Sequence, residues 1–241
     1  MREGLDDHRD LIAQACRVLA HQGLVDTVLG HVSCRIDETL MLIRCRGPRE
    51  RGLMFTSPED IRLVDFDGNW AEDPDGYSVP NELPIHGETL RRRPEFNSVV
   101  HAHPPASVAC GIAGIELRPI FGSFNIPAMR MAVDGVPVYR RSVLIRRPDL
   151  AVEMLDAMGD RSYCLLRGHG MTVAAASVEQ AVVRAINLDA LAAMNLELAR
   201  SGGRAEDVPA EDLAEIPDLG SAFNDLPVWR YYTARAQHAG L

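Results

Sequence analysis

Several segments of the chain carry apolar residues at helical spacing. In "DDHRDLIAQACRVLAHQGL" they recur every three or four positions, at Leu11, Ile12, Ala15, Val18 and Leu19. Gly23 follows as a helix stop. The same reasoning predicts a helix in "ELPIHGETLRRRP" that ends at Pro94, a short helix in "PASVACGIAG", and a helix in "PDLAVEMLDAMG" that begins near Pro148. The longest helical pattern is "VEQAVVRAINLDALAAMNLELARSGG".

Between these helices lie short runs typical of strands. "GHVSCRI" and "LMLIRCRG" predict a β-hairpin, and "GLMFTSPEDIRLVDFDGNW" predicts a strand, a turn and a further strand. "NSVVHAH" predicts one strand, and "SYCLLRGHGMTVAAAS" predicts two. "IPAMRMAVDGVPVYRRSVLI" mixes strand and loop signals without deciding between them. Because strands and helices alternate without a linker, we predict one α/β domain over residues 1–241. The stretch "VPAEDLAEIPDLGSAFNDLPVWRYYTARAQHAGL" predicts an acidic loop and an aromatic C-terminal helix, and we expect the segment of about residues 205–241 to pack at a subunit interface.

Composition and charge narrow the class of function. The formal net charge of -9 disfavours nucleic acid and anionic membranes as partners, because both attract basic surfaces. No apolar run is long enough to span a bilayer, and the start "MREGLDDHRD" lacks the apolar stretch of a signal peptide. The five cysteines are scattered and form no CxxC pair, which is typical of reduced thiols. We therefore expect a cytoplasmic protein that binds neither nucleic acid nor a membrane.

The candidate chemistry centres on "SVVHAHPPAS", where His101 and His103 stand one residue apart. Alternate side chains on a strand share a face, so two imidazoles could converge on one ion. An HxH pair can also arise by chance at a strand end, and a histidine between Gly168 and Gly170 is often only a turn residue. Three histidines with the carboxylate of "PNELPIH" would nevertheless suit a borderline divalent metal.

The sequence resembles the class II aldolase/adducin family. The family's "G-x-x-S-x-R", "P-x-x-E-x-x-x-H", "VVHxHPP" and "L-x-x-HG" motifs correspond, in order, to "GHVSCR", "PNELPIH", "VVHAHPP" and "LLRGHG". The resemblance implies a three-layer α/β/α fold around a largely antiparallel sheet. It also implies one divalent ion per subunit, zinc, manganese or iron, held by Glu82, His101, His103 and His169. Glu82 or His86, four residues further along, would handle the proton; a purely structural role for His86 is the alternative, since residues at i and i+4 share a helix face but not necessarily a pocket. The family further implies a homotetramer with active sites near subunit interfaces.

Three departures from the sugar-phosphate members of the family bear on the substrate. "GHVS" places His31 where those members have asparagine, "RCRGPRERG" replaces a loop of small residues, and "PNE" replaces a serine-rich triplet. A phosphate would lose hydroxyl and backbone donors, whereas arginines pair well with planar carboxylates. The sequence is therefore most similar to the decarboxylase branch, which breaks down hydroxylated aromatic carboxylates of the dihydroxyphthalate or pyridine-dicarboxylate type. The predicted substrate contacts are His31, Ser33, Arg46, Arg167 and Tyr231.

Two other functions remain open from the sequence. An aldolase or epimerase of a small sugar or sugar phosphate would keep the metal residues and change only the rest of the pocket. A non-catalytic, adducin-like interaction module would be expected to have lost metal ligands, and this sequence keeps all four positions. The arginine-rich loop also has a plain alternative, a solvated hairpin. In the C-terminal segment, Trp229, Tyr231 and Tyr232 could either cover a neighbouring subunit's pocket or pack on the body of the protein.

Overall fold

Seven strands form one mixed sheet, and nine α-helices surround it in the part of the chain that the computed structural model describes, residues 3–203 and 206–241. The strands are β1 (His31–Arg35), β2 (Leu40–Arg44), β3 (Ile61–Asp65), β4 (Ser98–Ala102), β5 (Val138–Tyr139), β6 (Tyr163–Leu166) and β7 (Gly170–Ala175). The helices are α1 (Glu3–His21), α2 (Leu83–Arg92), α3 (Pro105–Ala113), α4 (Ile126–Ala132), α5 (Pro148–Met158), α6 (Val178–Arg200), α7 (Ala210–Glu215), α8 (Gly220–Asn224) and α9 (Leu226–His238).

The strand order across the sheet is β3-β2-β1-β4-β7-β6-β5. Every neighbouring pair is antiparallel except β5 with β6, which is parallel. The largely antiparallel sheet implied by the family resemblance is thus confirmed. In the centre of the sheet, β1 pairs with β4 so that His31 lies directly opposite His101. This register brings two polar side chains together on one face of the buried centre.

Each face of the sheet is covered by its own hydrophobic cluster. Val100 and Ala102 belong to the cluster under α1, α3, α4, α6 and α9. Val99 belongs to the opposite cluster, which includes side chains of α2 and α5. Since side chains alternate along a strand, His101 projects toward the α2 face. The arrangement is the three-layer α/β/α fold that the resemblance implies.

Helix α2 lies unusually close to the sheet. A Cβ atom added at Gly87 would stand 2.0 Å from the backbone oxygen of Phe66, so only glycine fits at this contact. Pro84 in the first turn, which needs no intrahelical N–H partner, favours helix initiation just after Glu82. The helix therefore holds Glu82 and His86 at a fixed height above the sheet.

Two local predictions from the sequence differ from the structure. The strand predicted at "GLMF" is a short 3-10 helix, Leu53–Phe55. A second 3-10 helix, Pro58–Asp60, follows because Ser57 and Asp60 form a capping box that turns the chain before β3. The ambiguous segment resolves into α4 and the two-residue strand β5. The loop predicted before the C-terminal helix contains two further short helices, α7 and α8. The hairpin, the other strands and the other predicted helices lie where the patterns predict.

Within residues 3–203 and 206–241, every helix is too short or too polar to cross a lipid bilayer.

Candidate metal centre

Four side chains from three parts of the fold meet at one end of the central strands. One ligand atom from each of Glu82, His101, His103 and His169 lies within 4.8 Å of the others. Glu82 immediately precedes α2, and His169 lies in the turn between β6 and β7. His101 is the next-to-last residue of β4, and His103 follows directly after the strand. Because β4 pairs with β7, that turn is carried to the end of β4. The structure therefore brings together all four predicted metal ligands.

Glycine makes the approach of the turn possible. A Cβ atom at Gly170 would stand 2.2 Å from the backbone oxygen of Ala102 and 2.8 Å from Cδ2 of His103. Gly168 has φ 65°, in the left-handed region that glycine adopts at no steric cost. The pattern "GHG" thus serves to pack His169 tightly against His103, as its flanking glycines predict.

The ring nitrogens of the cluster are arranged for a cation. His101 Nδ1 lies 3.0 Å from the carbonyl of Met171, so the ring donates there and keeps an unprotonated Nε2. That Nε2 lies 2.8 Å from His103 Nε2 and 3.3 Å from Glu82 Oε2. Glu82 Oε2 is also 3.2 Å from His169 Nε2. Three imidazoles and a carboxylate are a donor set that zinc, manganese or iron accepts.

Burial sets the ionisation of these groups. Desolvation lowers the pKa of His101 and lowers that of His103 to about 3. Burial alone would raise the pKa of Glu82, but the neighbouring imidazoles of His101 and His169 hold it well below its usual range. The site therefore presents neutral imidazoles of His101 and His103 beside an anionic carboxylate at neutral pH. This is the protonation state that metal ligands require.

The second carboxylate oxygen of Glu82 is fixed by the backbone. Glu82 Oε1 accepts a hydrogen bond of 2.9 Å from the N–H of Ile145, in the segment between β5 and α5. Sequence patterns gave no sign of this contact, because Ile145 is 63 residues away and offers only its backbone. On His169 the buried Nδ1 has no hydrogen-bond partner among the described residues.

His86 and Ser33 do not occupy the positions expected of substrate contacts. Both side chains are 0% exposed. His86 Nε2 lies 2.7 Å from His31 Nδ1, and His86 Nδ1 lies 2.6 Å from Ser33 Oγ. Both nitrogens of His86 and the hydroxyl of Ser33 are therefore engaged within the protein, and proton transfer by His86 and a direct contact of Ser33 with substrate stay predictions. The His31–His86 pair itself was not foreseen from the sequence.

The four arginines of "RCRGPRERG" differ in whether their side chains are bound within the protein. Arg44 is buried and paired with Glu50, and Arg51 lies over the ring of Phe55 at 5.7 Å from its centroid. Arg46 forms a backbone bridge with Ser78, with N–O distances of 3.0 and 2.9 Å, four residues before Glu82. Among the described residues, no hydrogen bond or ion pair engages the Arg46 guanidinium. The guanidinium of Arg46, the predicted carboxylate contact, is thus available to bind a substrate.

A cavity of about 650 Å³ beside this loop is a poor candidate for the carboxylate site. Three arginines line it, but so do Glu50, Glu59, Asp60 and Asp75. Neither Arg46 nor any of the four clustered ligands is part of its wall. The mixed charge offers an anion little net attraction.

Two further predicted substrate contacts are Arg167 and Tyr231. Arg167 is close to His169 in sequence, whereas Tyr231 lies on α9. Arg167 is exposed and directly precedes the turn that carries His169, with its N–H bonded to the carbonyl of Tyr139 at 3.0 Å. Tyr231 is 56% exposed on α9, and its ring contacts are Tyr232 and Arg235 of the same helix. Trp229 is buried on the body of the protein. Any role for Tyr231 in a pocket therefore requires a neighbouring subunit.

Comparison with known proteins agrees with this geometry. The family described as class II aldolase and adducin N-terminal domain matches residues 10–196. The chain is 58% identical over 234 residues to a 3,4-dihydroxyphthalate decarboxylase of Arthrobacter keyseri, covering 96% of this chain and 94% of that protein. A protein of the same name from Terrabacter sp. is 54% identical over 237 residues, covering 98% and 99%. A crystal structure of an aldolase II superfamily protein from Pseudomonas syringae superposes with a TM-score of 0.80 at 22% identity, covering 98% of this chain and 94% of that one. With the motifs, the fold and the clustered ligands in agreement, the chain belongs to the class II aldolase/adducin family.

Proposed function

We propose that the protein is a metal-dependent, non-oxidative decarboxylase of a hydroxylated aromatic dicarboxylate, with 3,4-dihydroxyphthalate as its substrate. The observation that carries the proposal is the intact cluster of Glu82, His101, His103 and His169 in a chain 58% identical to a protein named for that activity. The enzyme is then a carboxy-lyase, and its place is in the breakdown of aromatic compounds.

The four clustered side chains would hold one divalent ion. When bound, it supplies a Lewis acid that stabilises negative charge on the substrate oxygens while a carbon–carbon bond breaks. Zinc, manganese and iron all suit the donor set.

The chain's own groups account for the proton. Decarboxylation breaks the bond between a ring carbon and its carboxylate, releases CO₂, and forms a C–H bond at the same carbon. Glu82 is the carboxylate among the four clustered groups, and we assign it the task of taking the proton of the substrate hydroxyl and returning it to the ring carbon. His86, the other residue predicted to handle the proton, is assigned a positioning role instead, since its two ring nitrogens bond His31 and Ser33.

Substrate recognition is assigned to groups around the cluster. Arg46 has a free guanidinium whose fork geometry suits the carboxylate that stays on the ring. His31 stands beside His101, with 5.0 Å between ring centroids. Arg167, next to the turn of His169, is the third candidate.

An aldolase or epimerase is the second candidate function, because it would use the same four ligands. The loop "RCRG" and the triplet "PNE" disfavour a phosphorylated substrate, since they lack the hydroxyl groups that bind phosphate. A non-catalytic module would not need four converging ligands, two of them fully or almost fully buried.

The decisive assay compares the two reaction classes directly. The metal-loaded protein is incubated with a panel of dihydroxy-aromatic acids and sugar phosphates, and the release of CO₂ and of aldehyde is measured. We expect CO₂ from 3,4-dihydroxyphthalate and no aldehyde from any member of the panel. Aldehyde release without CO₂ would establish the aldolase instead.

We also propose a homotetramer with active sites near the subunit interfaces. Exposed apolar side chains flank the cluster: Ile112 is 61% exposed and Leu144 is 49% exposed. Ile112 adjoins Gly168, next to His169, and Leu144 adjoins Ile145, whose N–H binds Glu82. Large exposed apolar side chains beside a polar site are typical of interfaces.

Light scattering at micromolar concentration is therefore expected to give the mass of about four chains of 26.5 kDa. Since the interface would complete the pocket, activity should fall when dilution dissociates the assembly. A fully active monomer would contradict the proposal.

Two further proposals concern the chain as a whole. A single domain over residues 1–241 is supported by Trp229 and Ala236 of α9, which share one buried cluster with residues of α1. The C-terminal segment, about residues 205–241, of which 206–241 are described, would then pack at a subunit interface and present Tyr231 to a neighbouring subunit. A cytoplasmic location is supported by five free, buried cysteines, which a reducing compartment would preserve.

A further inference from the structure

Ser33, His86 and His31 form a buried chain of hydrogen bonds that leads to the cluster. Ser33 Oγ is 2.6 Å from His86 Nδ1, and His86 Nε2 is 2.7 Å from His31 Nδ1. Ser33 and His86 are 0% exposed, and His31 is 6% exposed.

The buried serine determines which atoms donate and which accept along this chain of hydrogen bonds. Among the described residues, Ser33 Oγ has no hydrogen-bond partner other than His86 Nδ1. If His86 Nδ1 donated to Ser33, the serine hydroxyl hydrogen would be buried without an acceptor, which costs about 1–3 kcal/mol. The hydroxyl therefore donates to His86 Nδ1. His86 then carries its proton on Nε2 and donates it to His31 Nδ1.

This polarity fixes the tautomer of His31. With Nδ1 accepting from His86, the neutral ring of His31 must carry its proton on Nε2. No hydrogen bond or ion pair of the described residues uses that Nε2. The register places His31 directly opposite His101, and the two ring centroids are 5.0 Å apart. A donor is thus presented next to the metal ligands.

We infer that His31 Nε2–H is a neutral hydrogen-bond donor to an oxygen of the substrate, and that His86 and Ser33 are positioning residues that set the orientation and tautomer of its ring. The inference rests on the proposed function, since the acceptor is a carboxylate or hydroxyl oxygen of the aromatic substrate. A neutral imidazole with a fixed N–H can polarise a substrate oxygen without titrating during turnover. It also gives a reason for histidine at a position where sugar-phosphate members of the family have asparagine.

The first test separates the two ring positions of His31. A glutamine side chain can place an N–H near the position of Nε2, whereas asparagine reaches only about as far as Nδ1. For CO₂ release from 3,4-dihydroxyphthalate by the metal-loaded enzyme, we expect His31→Asn to lower kcat about tenfold, the value of a lost hydrogen bond to a charged group. His31→Gln should retain most of kcat. Equal losses in the two variants, or no loss in either, would overturn the role of the Nε2 donor.

The second test reads the tautomer itself and does not depend on activity. Histidine labelled with ¹⁵N distinguishes protonated from unprotonated ring nitrogens by NMR, and the spectrum of His31→Gln identifies the signals of His31 by their absence. We expect Nε2 of His31 to be protonated and Nδ1 unprotonated. Ser33→Ala should convert His31 to a mixture of tautomers, and Ser33→Thr, which keeps the hydroxyl, should restore the single form.

Ser107→Ala is the matched control for Ser33→Ala. Ser107 is also 0% exposed, but its hydroxyl bonds Asp189 between α3 and α6. Its loss should lower stability without changing the His31 signals. A protonated Nδ1 on His31, or an unchanged tautomer in Ser33→Ala, would overturn the inference even if the enzyme decarboxylates. If the wild-type enzyme releases no CO₂ while the tautomer is as expected, the proposed function fails and the hydrogen-bond chain stands.

Discussion

Replacing His103 by alanine is expected to strip the bound ion from the purified protein and to abolish decarboxylation. His103 Nε2 lies 2.8 Å from His101 Nε2, so its removal takes one of four converging ligand groups from the cluster. A site reduced to three ligand groups binds a borderline divalent metal much more weakly. The fold should persist, because the half-buried His103 lies just beyond β4 and outside both hydrophobic clusters.

Elemental analysis of wild-type and mutant protein measures the metal, release of CO₂ from 3,4-dihydroxyphthalate measures decarboxylation, and circular dichroism checks that the mutant is folded. Wild-type protein should carry about one ion per chain, since one cluster of this kind is found among the described residues. His238→Ala, at an exposed histidine in the last turn of α9 that contributes no group to the cluster, should keep the metal. Unchanged metal content in His103→Ala would remove the site as described here.

The three histidines of this cluster were predictable because each depends on a short-range rule. His101 and His103 are two apart, so a strand turns them to one side wherever it lies in the sheet. His169 stands between glycines, which allow close approach, and the structure uses Gly170 in this way. For these three residues the information lies within a few positions of the side chain, whereas Glu82 came from the family resemblance.

The parts that the sequence did not reveal depend on pairing between distant segments. The hydrogen bond between His31 and His86 spans 55 residues and exists because β1 lies next to β4 beneath α2. The support of Glu82 by Ile145 uses a backbone N–H, which no residue type signals. Assigning His86 to proton transfer followed from its spacing of four residues after Glu82, and spacing alone does not show that both its nitrogens are occupied.

The strand predicted at "GLMF" was wrong for a related reason. Apolar residues in a short run do not distinguish a strand from a helical turn. Thr56 caps the turn through its hydroxyl and its N–H, which both bond the carbonyl of Leu53, and the capping box at Ser57 directs the chain into β3. The antiparallel strand order came only from the family resemblance, because periodicity carries no information about which strands are neighbours.

Replacing Arg46 by lysine is expected to slow decarboxylation of 3,4-dihydroxyphthalate without changing metal content. Lysine keeps the positive charge but loses the planar fork that forms two parallel hydrogen bonds with a carboxylate. A charge-assisted hydrogen bond is worth roughly 1.5–3 kcal/mol, so kcat/KM should fall about ten- to a hundredfold. The metal remains because guanidinium is not a ligand.

Arg49→Lys is the matched control, since Arg49 is exposed in the same loop and should tolerate the same change. Both variants keep the net charge of the loop. A difference between them therefore reports recognition by one guanidinium rather than an effect of loop charge. If Arg46→Lys and Arg49→Lys both retain wild-type turnover, the remaining carboxylate is bound elsewhere, with Arg167 beside the His169 turn as the next residue to replace. If both lose activity equally, the loop acts through its shape rather than through one fork. A selective loss at Arg46 would show that the arginine-rich segment recognises a carboxylate where sugar-phosphate relatives bind phosphate, and that the substrate carries a second acid group.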